Sequence, residues 1–570
     1  MESGRAGIEG YGIWGALVSD PLIPIPVVDP LRLAWYELND FGNARRLSAL
    51  SGGLLKWVDD AYWIAFDDRR WSRREGDFRA RSLAHRVAQH LHDEAAALGE
   101  IVGNPNEPDR AAIKAQWDGK IPVEIAVERL SALHKHAVKT GDANRTTNML
   151  KQAQDLPEMR AWSEEFDVDP LAYNVLNGTL RFQRGEDGVW RVAWQRGHAP
   201  GDLISQLANV EYDPDADCPQ WRDRLKELQP DADVRMALSL MYGQTLTGLT
   251  DGEEFYTCQG QGGDGKSKTH EILADLHGDY YRHSPVKTWL AASFQKSGSE
   301  HRSDLVRLAG DIRFLVSEEP PPNSKWDSEI LKQATGGGSI TARGSGAATE
   351  ITFKPRFKIF VEVNKLPAAP SDDRGWWRRQ LIVPWPVNIA DLPGGMEPPA
   401  ELVARLLPEK PGILNWLVAG CLEWLAVRKV PKVERIQRAI DSARAGTSPV
   451  AEWLSECCDL SDPDAREGST KLWKHYEQWC EANGIEKPGG QTKFGRSLTD
   501  RQLYDGPKDS KGLKTRLGIK LRDSDPLLNG SAGAGGNEGG AKPPPRAQGD
   551  PGAMPDDYSP PDGDHDPFGD

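Results

Sequence analysis

The sequence predicts a multidomain protein: a helical N-terminal domain, an α/β core, a small C-terminal unit of helices and a basic hairpin, and a disordered acidic tail. Three observations predict it. Apolar residues recur at helical spacing through most of residues 31–160, strands and helices alternate from Glu254, and residues 523–570 are Gly-, Pro- and Asp-rich with few apolar side chains. At about 100–200 residues per domain, 570 residues accommodate about three to five domains.

Residues 1–30 are Gly- and Pro-rich and read as an irregular lead. Residues 31–215 form the first domain. "SLAHRVAQHLHDEAAALGEI" has a helical period, and "LAYNVLNGTLRFQRGEDGVWRVAW" reads as a strand, an Asn-Gly turn and further hairpin strands. "YDPDADCP" is a linker into the α/β domain, residues 216–445, and "ARAGTSP" is a second linker into residues 446–522. The chain carries a formal charge of −15. Residues 523–570 hold ten Asp/Glu and two Lys/Arg, so that tail accounts for −8 of it. A mildly acidic body admits nucleic-acid binding only through local basic surfaces. Cys218, Cys258, Cys421, Cys457, Cys458 and Cys480 show no metal-ligand spacing and read as reduced thiols of a cytoplasmic protein. The apolar run 413–427 is too short for a bilayer, and the N-terminus lacks a signal peptide pattern, so no membrane partner is expected.

"EEFYTCQGQGGDGKSKTHEILADLHG" is the most informative segment. A strand meets a Gly-rich loop that opens into a helix near Ser267, and Gly260, Gly265, Lys266 and Ser267 satisfy G-x-x-x-x-G-K-[ST]. Glycines let backbone N–H groups wrap phosphate oxygens, and the helix N-terminus adds positive potential. Lys266 is expected to reach the β- and γ-phosphates of ATP, and Ser267 to hold Mg²⁺. Without nucleotide, Lys266 is expected as an unpaired surface charge. Gly260, Gly262 and Gly265 also fit a dinucleotide fingerprint, which has no use for the Lys-Ser that follows. "DIRFLVSEEP" ends an apolar strand in Glu318 and Glu319, one to order Mg²⁺ and the other to polarise water; solvated strand-end glutamates are the alternative. "FKIFVEVNKLP" reads as an alternating strand ending in Asn364, positioned for a γ-phosphate and the attacking water, or else as a turn-forming Asn. "DDRGWWRRQLIVPWP" sets Arg378 and Arg379 before another strand.

Together these elements resemble the phage and plasmid primase–helicase family, related to poxvirus-type primase–helicases of helicase superfamily three. The matching wording is "GQGGDGKS", "LVSEEP", "EILKQATGGGSITAR", "FKPRFKIFVEVNKLP" and "DDRGWWRRQLIVPW", with "NDFGNARRL" and "MALSLMYGQTLTG" upstream. The resemblance implies an AAA+ P-loop ATPase core, a C-terminal winged helix and a homo-oligomeric ring, a hexamer, moving 3′ to 5′ on single-stranded or forked DNA. It makes Gly260, Gly262, Gly263, Asp264, Gly265, Lys266, Ser267 and Lys268 the nucleotide residues, Ser267 and Glu318 the metal residues, and Glu318, Glu319 and Asn364 the acidic and sensor groups. Arg378 or Arg379 becomes a finger reaching a neighbouring subunit's ATP, anchored by Trp376 and Trp377 at the boundary; the alternative is that the arginines pair with Asp372 or Asp373. Asp264 stands where the family commonly has Asn, and Gly338 where it commonly has Asp.

"ITARGSGAATEITFKPRFK" reads as a DNA-facing hairpin, with Arg343, Lys354, Arg356 and Lys358 supplying positive charge and Lys332 in the element before it. "QTKFGRSLTDR" is the expected recognition helix, offering Lys493 and Arg496, and "KDSKGLKTRLGIKLR" the wing, with Lys514 and Arg516. The tail carries Tyr558 and Phe568 among carboxylates, like the acidic tips by which single-strand-binding proteins dock replication partners; a solubilising tail is the alternative. The function this implies is an ATP-dependent ring helicase replicating a phage, plasmid or integrated element in a bacterial or phage-infected cell. The alternatives are a bifunctional primase–helicase and an ATP-switched origin-binding initiator.

Overall fold

The computed structural model describes residues 28–291, 302–344, 350–370, 373–392, 395, 397–446, 449–483, 485, 490–499, 501–508 and 511–522. The acidic tail, most of the N-terminal lead, Asp372 and the tip of the basic hairpin lie outside them. The protein is multidomain, with helical and α/β parts, and divides into two compact units between Ser448 and Pro449. No helix among the described residues is long and apolar enough to cross a membrane.

The first unit begins with helices packed on a small sheet. Helix α1 (Asp40–Ser51) is capped by the Asn39 side chain and ends at Gly52 in a left-handed conformation. Strands β1 (Leu55–Val58) and β2 (Tyr62–Phe66) form a hairpin. Helix α2 (Arg73–Val102) runs along it, with α3 (Val123–Thr140) and α4 (Ala143–Gln154) completing the bundle. The apolar positions Ala80, Ala84, Val87, Leu91, Ala95, Leu98 and Val102 fall on one face of α2 and are wholly buried. A Cβ on Gly76 would stand 2.0 Å from the Trp63 carbonyl oxygen, so the glycine sets how closely α2 approaches β2. In the core of this bundle Arg46 and Glu94 pair at 2.9 Å, both side chains fully buried.

The expected hairpins appear as β3 (Ala172–Val175), β4 (Gly178–Arg184) and β5 (Trp190–Arg196) in one antiparallel sheet. Tyr173, Val175, Leu180 and Phe182 of that sheet share a core with the α/β sheet and with helix α5 (Ala232–Gly243), and not with the N-terminal helices. Arg356 ties the two parts together: it donates to the Asp167 carbonyl on one side and pairs with Asp311 at 3.4 Å on the other. Arg313 pairs with Asp311 at 2.7 Å and donates to the Leu246 carbonyl at 2.6 Å. Beside it Asp167 accepts from the Ser205 amide and hydroxyl at 2.7 and 2.5 Å, and burial, then the charge of Asp311, pushes its carboxyl up to about 6.

The α/β sheet contains β6 (Phe255–Gln259), β7 (Tyr281–His283), β8 (Phe314–Ser317), β11 (Lys358–Val363) and β12 (Gln380–Pro384), with the β9 (Ile340–Arg343) and β10 (Glu350–Phe353) hairpin standing apart. Every pairing is parallel, in the order β7-β8-β11-β6-β12. Helix α6 (Lys266–His277) follows β6, α7 (Ser328–Thr335) precedes the hairpin, and α8 (Lys410–Val427) packs on α5. The expected alternation of residues 357–363 gives way to near-complete burial: only Glu362 of β11 is partly exposed. Both faces of a parallel strand are covered by helices, which removes the period-2 signal. The carboxyl ends of β6, β8 and β11 meet at one edge, where α/β sheets bind ligands.

In the second unit α9 (Ser469–Ala482) and α10 (Gln491–Thr499) pack around Trp453, Tyr476 and Phe494. A three-stranded antiparallel sheet, β13 (Arg466–Gly468), β14 (Asp505–Gly506) and β15 (Thr515–Leu517), has β15 in the middle. All six cysteines are buried free thiols.

Candidate functional site

The loop after β6 wraps because three of its glycines take positive φ: Gly262 (86°), Gly263 (65°) and Gly265 (81°). At Gly265 a Cβ would also stand 2.7 Å from Leu228, so both conformation and space require glycine. α6 begins at Lys266, aiming its first amides into the loop.

Lys266 is not the unpaired surface charge expected from the sequence. It is 5% exposed, and its Nζ lies 2.7 Å from Asp264 Oδ2 and donates to Asn364 Oδ1 at 3.2 Å. Asp264 also accepts from the amides of Gly262 and Lys266, each at 3.3 Å. A carboxylate thus occupies the anion-binding concavity. Asn364 is itself held by Glu319, which accepts its backbone N–H at 3.2 Å and its side-chain amide at 2.5 Å. Lys266, Asp264, Asn364 and Glu319 therefore meet at one point.

Glu318 does not join them. It pairs with His283 Nε2 at 2.6 Å and accepts from the Val286 amide at 3.3 Å, outside the cavity. Successive residues at a strand end point to opposite sides, so only one of the pair can face the loop. The carboxylate beside Ser267 is instead Glu362 on β11, a residue missed in the sequence. It accepts from the Ser267 hydroxyl through one oxygen and meets His270 Nδ1 at 2.6 Å through the other. His270 Nε2 in turn lies 2.9 Å from the Tyr242 hydroxyl. Burial raises the Glu362 carboxyl, but His270, Ser267 and the Lys266 charge outweigh it and hold the group below the usual carboxylate range. Its signal was its spacing: two residues before Asn364, it shares a strand face with it.

These groups line a cavity of about 380 Å³, within the range of small-molecule sites. Gly262 to Lys268, Glu319, Glu362 and Asn364 line it; Gly260 does not. Lys268 pairs with Glu271 at 2.5 Å. A second cation, Arg224 from the helix Pro219–Leu228, also lines the cavity. It pairs with Glu227 at 2.9 Å, while its buried Nε has no hydrogen-bond partner among the described residues. The lining thus combines three cations, Arg224, Lys266 and Lys268, with the Ser267 hydroxyl and four carboxylates, Asp264, Glu319, Glu362 and Glu397. Among the described residues no cluster of three His, Cys, Asp or Glu forms a metal cage. Ser267 and Glu362 fit a Mg²⁺ that takes its remaining ligands from phosphate and water, the habit of that ion.

Arg378 and Arg379 both pair with Glu253, at 2.5 and 2.9 Å, rather than with Asp373, which pairs with Lys332 at 2.6 Å. Arg379 is 11% exposed and Arg378 57%, so Arg378 is the one that reaches solvent. Trp376 and Trp377 are buried in the core beneath them.

On the hairpin, Arg343 sits opposite Glu350, and Lys354 is exposed just beyond β10. Arg356 and Lys358 do not face outward. Arg356 donates to the Asp167 carbonyl and pairs with Asp311 at 3.4 Å. Lys358 is 3% exposed and donates to the Thr247 carbonyl, and burial lowers its pKa.

In the second unit a groove of about 630 Å³ runs between α10 and the sheet, with Arg496 and Lys514 on its walls. Lys493, Arg496 and Lys514 are exposed. Arg516 is not. It is 8% exposed and donates to Thr499 Oγ1 (2.9 Å), the Leu503 carbonyl (2.8 Å) and the Gly495 carbonyl (3.0 Å), so it fastens the sheet to α10.

Residues 44–230 match the family model described as D5 N terminal like. A protein of Acanthamoeba polyphaga mimivirus named a putative helicase is 27% identical over 333 residues, 58% of this chain and 32% of its own length. One of Frog virus 3 (isolate Goorha), also named a putative helicase, is 24% identical over 538 residues, 78% of this chain and 55% of its own. The chain thus spans about a third and about half of these relatives. The apo C-terminal region of NrS-1 aligns with 61% of this chain and 96% of its own at 9% identity and a TM-score of 0.33, too loose a match for its geometry to bear on this one. By its D5 N terminal-like segment and its viral relatives, the chain is similar to phage and viral primase–helicases.

Proposed function

We propose that the chain is an ATP-driven DNA helicase of a replicating phage, virus, plasmid or integrated element, with an AAA+ core of the superfamily-three type. The observation that carries the reading is the Lys266 amine, buried where the loop after β6 meets Asn364 at the end of β11. A glycine loop, a lysine, a hydroxyl and a strand-end amide converging on one cavity are the parts phosphoryl transfer needs.

In this reading Lys266 and Arg224 neutralise phosphate charge, and Asn364 with Glu319 orients the attacking water. Mg²⁺, when bound, supplies charge neutralisation between the phosphates; Ser267 and Glu362 hold its position from the protein side. Glu362 thereby takes the metal role expected of Glu318. The subunits form a ring, a hexamer, in which Arg378 faces a neighbour's site. The Arg343 and Lys354 hairpin contacts single-stranded DNA in the channel without reading sequence. The second unit, with α9, α10, a small sheet and Lys493, Arg496 and Lys514 exposed, acts as a winged helix on forked DNA. The helicase names of the viral relatives support the same reading.

Strand displacement on forked DNA, measured with ATP and Mg²⁺ and without, tests it. Unwinding should require both and vanish in Lys266→Ala. ATP-independent unwinding, or normal turnover in Lys266→Ala, would refute it.

A further inference from the structure

The sequence left residues 60–160 without a role. Helix α2 there carries an unusual surface. Arg73, Arg74, Phe78, Arg81, His85 and Arg86 are all exposed, and Phe78 is 59% exposed. At 100° per residue, Arg74, Phe78, Arg81 and His85 fall within about 60° of one another, a single stripe about 16 Å long. The stripe lies well round the helix from the packed face of Ala80, Ala84, Val87 and Leu91.

Two properties separate this stripe from an ordinary solvated face. No ion pair among the described residues involves Arg74, Arg81 or Arg86, although Glu75 and Asp77 share the same turns. In a chain of formal charge −15, this is positive charge left uncancelled. A large aromatic ring then stands in water between two of the guanidinium groups, where burial would have been the favourable state. Arg73 meanwhile lies 4.1 Å over the Tyr62 ring, which holds the start of the helix in place.

We infer that the Arg74–Phe78–Arg81–His85 stripe of α2 binds single-stranded DNA, the arginines contacting successive phosphates and Phe78 stacking on an unpaired base. Cations that track a backbone, interleaved with an aromatic platform, match the chemistry of a single strand. Duplex DNA offers the same phosphates but keeps its base faces stacked, which would leave Phe78 without a partner. An acidic protein would satisfy the arginines and not the ring's preference for a π-face. The inference uses no residue of the nucleotide cavity and goes beyond the ATPase reading by adding a DNA contact outside the hairpin.

The test is anisotropy of a fluorescein-labelled 30-nucleotide oligothymidine with the full chain, without nucleotide, between 50 and 200 mM salt. ATP turnover without DNA is read on the same samples. Arg74→Ala with Arg81→Ala should lower the log–log salt slope by about 1.4, since each phosphate contact contributes about 0.7 on single strands. Phe78→Ala should weaken binding about 5- to 150-fold, with the slope unchanged. Phe78→Trp should retain the affinity. Val138→Ala, at an exposed apolar position of α3, should do nothing. Turnover without DNA should be unchanged in all four, so loss of ATPase in the parent chain would refute the helicase reading without touching this one. The inference is overturned if the double variant keeps the parent slope, if Phe78→Ala binds as the parent does, or if Phe78→Ala loses as much on a duplex of equal length.

Discussion

Asp264→Asn should tighten ATP binding. In the unliganded loop the Asp264 carboxylate sits 2.7 Å from Lys266 Nζ, both side chains more than nine-tenths buried, and also accepts from two loop amides. Phosphate arriving there must take Lys266 away from Asp264 and then lie beside a carboxylate that cannot leave. A charge-assisted hydrogen bond contributes about 1.5–3 kcal/mol, so removing the competing anion should improve affinity about 10- to 150-fold. Asn keeps the side-chain shape and an acceptor for one of the two amides, which reach different oxygens of Asp264. The exchange also destabilises the unliganded protein, because a buried lysine loses its counter-charge, by up to about 3–5 kcal/mol. Titration with a fluorescent ATP analogue, paired with thermal melts with and without ATP, reads both effects. The variant should melt lower than the parent when empty and gain more from ATP. Equal or weaker nucleotide affinity would refute the view that Asp264 competes with phosphate.

Lys266→Ala should abolish turnover and also lower stability by about 3–5 kcal/mol, since it strands Asp264; urea unfolding matching the parent would contradict the buried pair. Arg516→Ala should destabilise the C-terminal unit by about 2–3 kcal/mol through its orphaned acceptors. Lys514→Ala should leave melting unchanged and weaken DNA binding, and the reverse pattern would show the two roles exchanged. Asp167 is raised from 3.8 to about 6 in the fold. Its contribution is therefore fully present below pH 4 and lost as pH rises through 6, at most about 3 kcal/mol. Asp167→Asn, tolerated at a residue with φ of 55°, should accordingly gain more over the parent at pH 8 than at pH 5, and an equal gain at both would refute the linkage.

The sequence was most legible where chemistry is local. The glycine loop announces itself because its glycines, Lys266 and Ser267 lie close together in the chain, and Asn364 stands out as a polar residue closing an apolar strand. Misreadings came where a charge finds its partner far along the chain. Arg356 and Lys358 look like surface charge beside a hairpin, yet their partners are Asp167, Asp311 and Thr247. Arg516 looks like a wing residue and turns inward to Gly495, Thr499 and Leu503. Glu362 was hidden inside a segment scored for its apolar content. Its carboxylate is tolerable there because Ser267 and His270 meet both oxygens. Arg224 lies on an earlier helix that no motif links to the loop.

The strand order has a consequence for how the protein is made. The strand that leads into the glycine loop, β6, is hydrogen-bonded on one side to β11 and on the other to β12, whose residues begin at Lys358 and Gln380. On a ribosome adding about 5–20 residues per second, roughly 6–24 s pass between completion of β6 and the start of β12. Phe255, Tyr256 and Cys258, fully enclosed in the finished sheet, have neither lateral neighbour for most of that time. Because loop closure must precede the contacts that reward it, the nascent core stays open until its last strand emerges. A prematurely ended chain therefore presents two unpaired strand edges, the kind of surface that chaperones and proteases recognise.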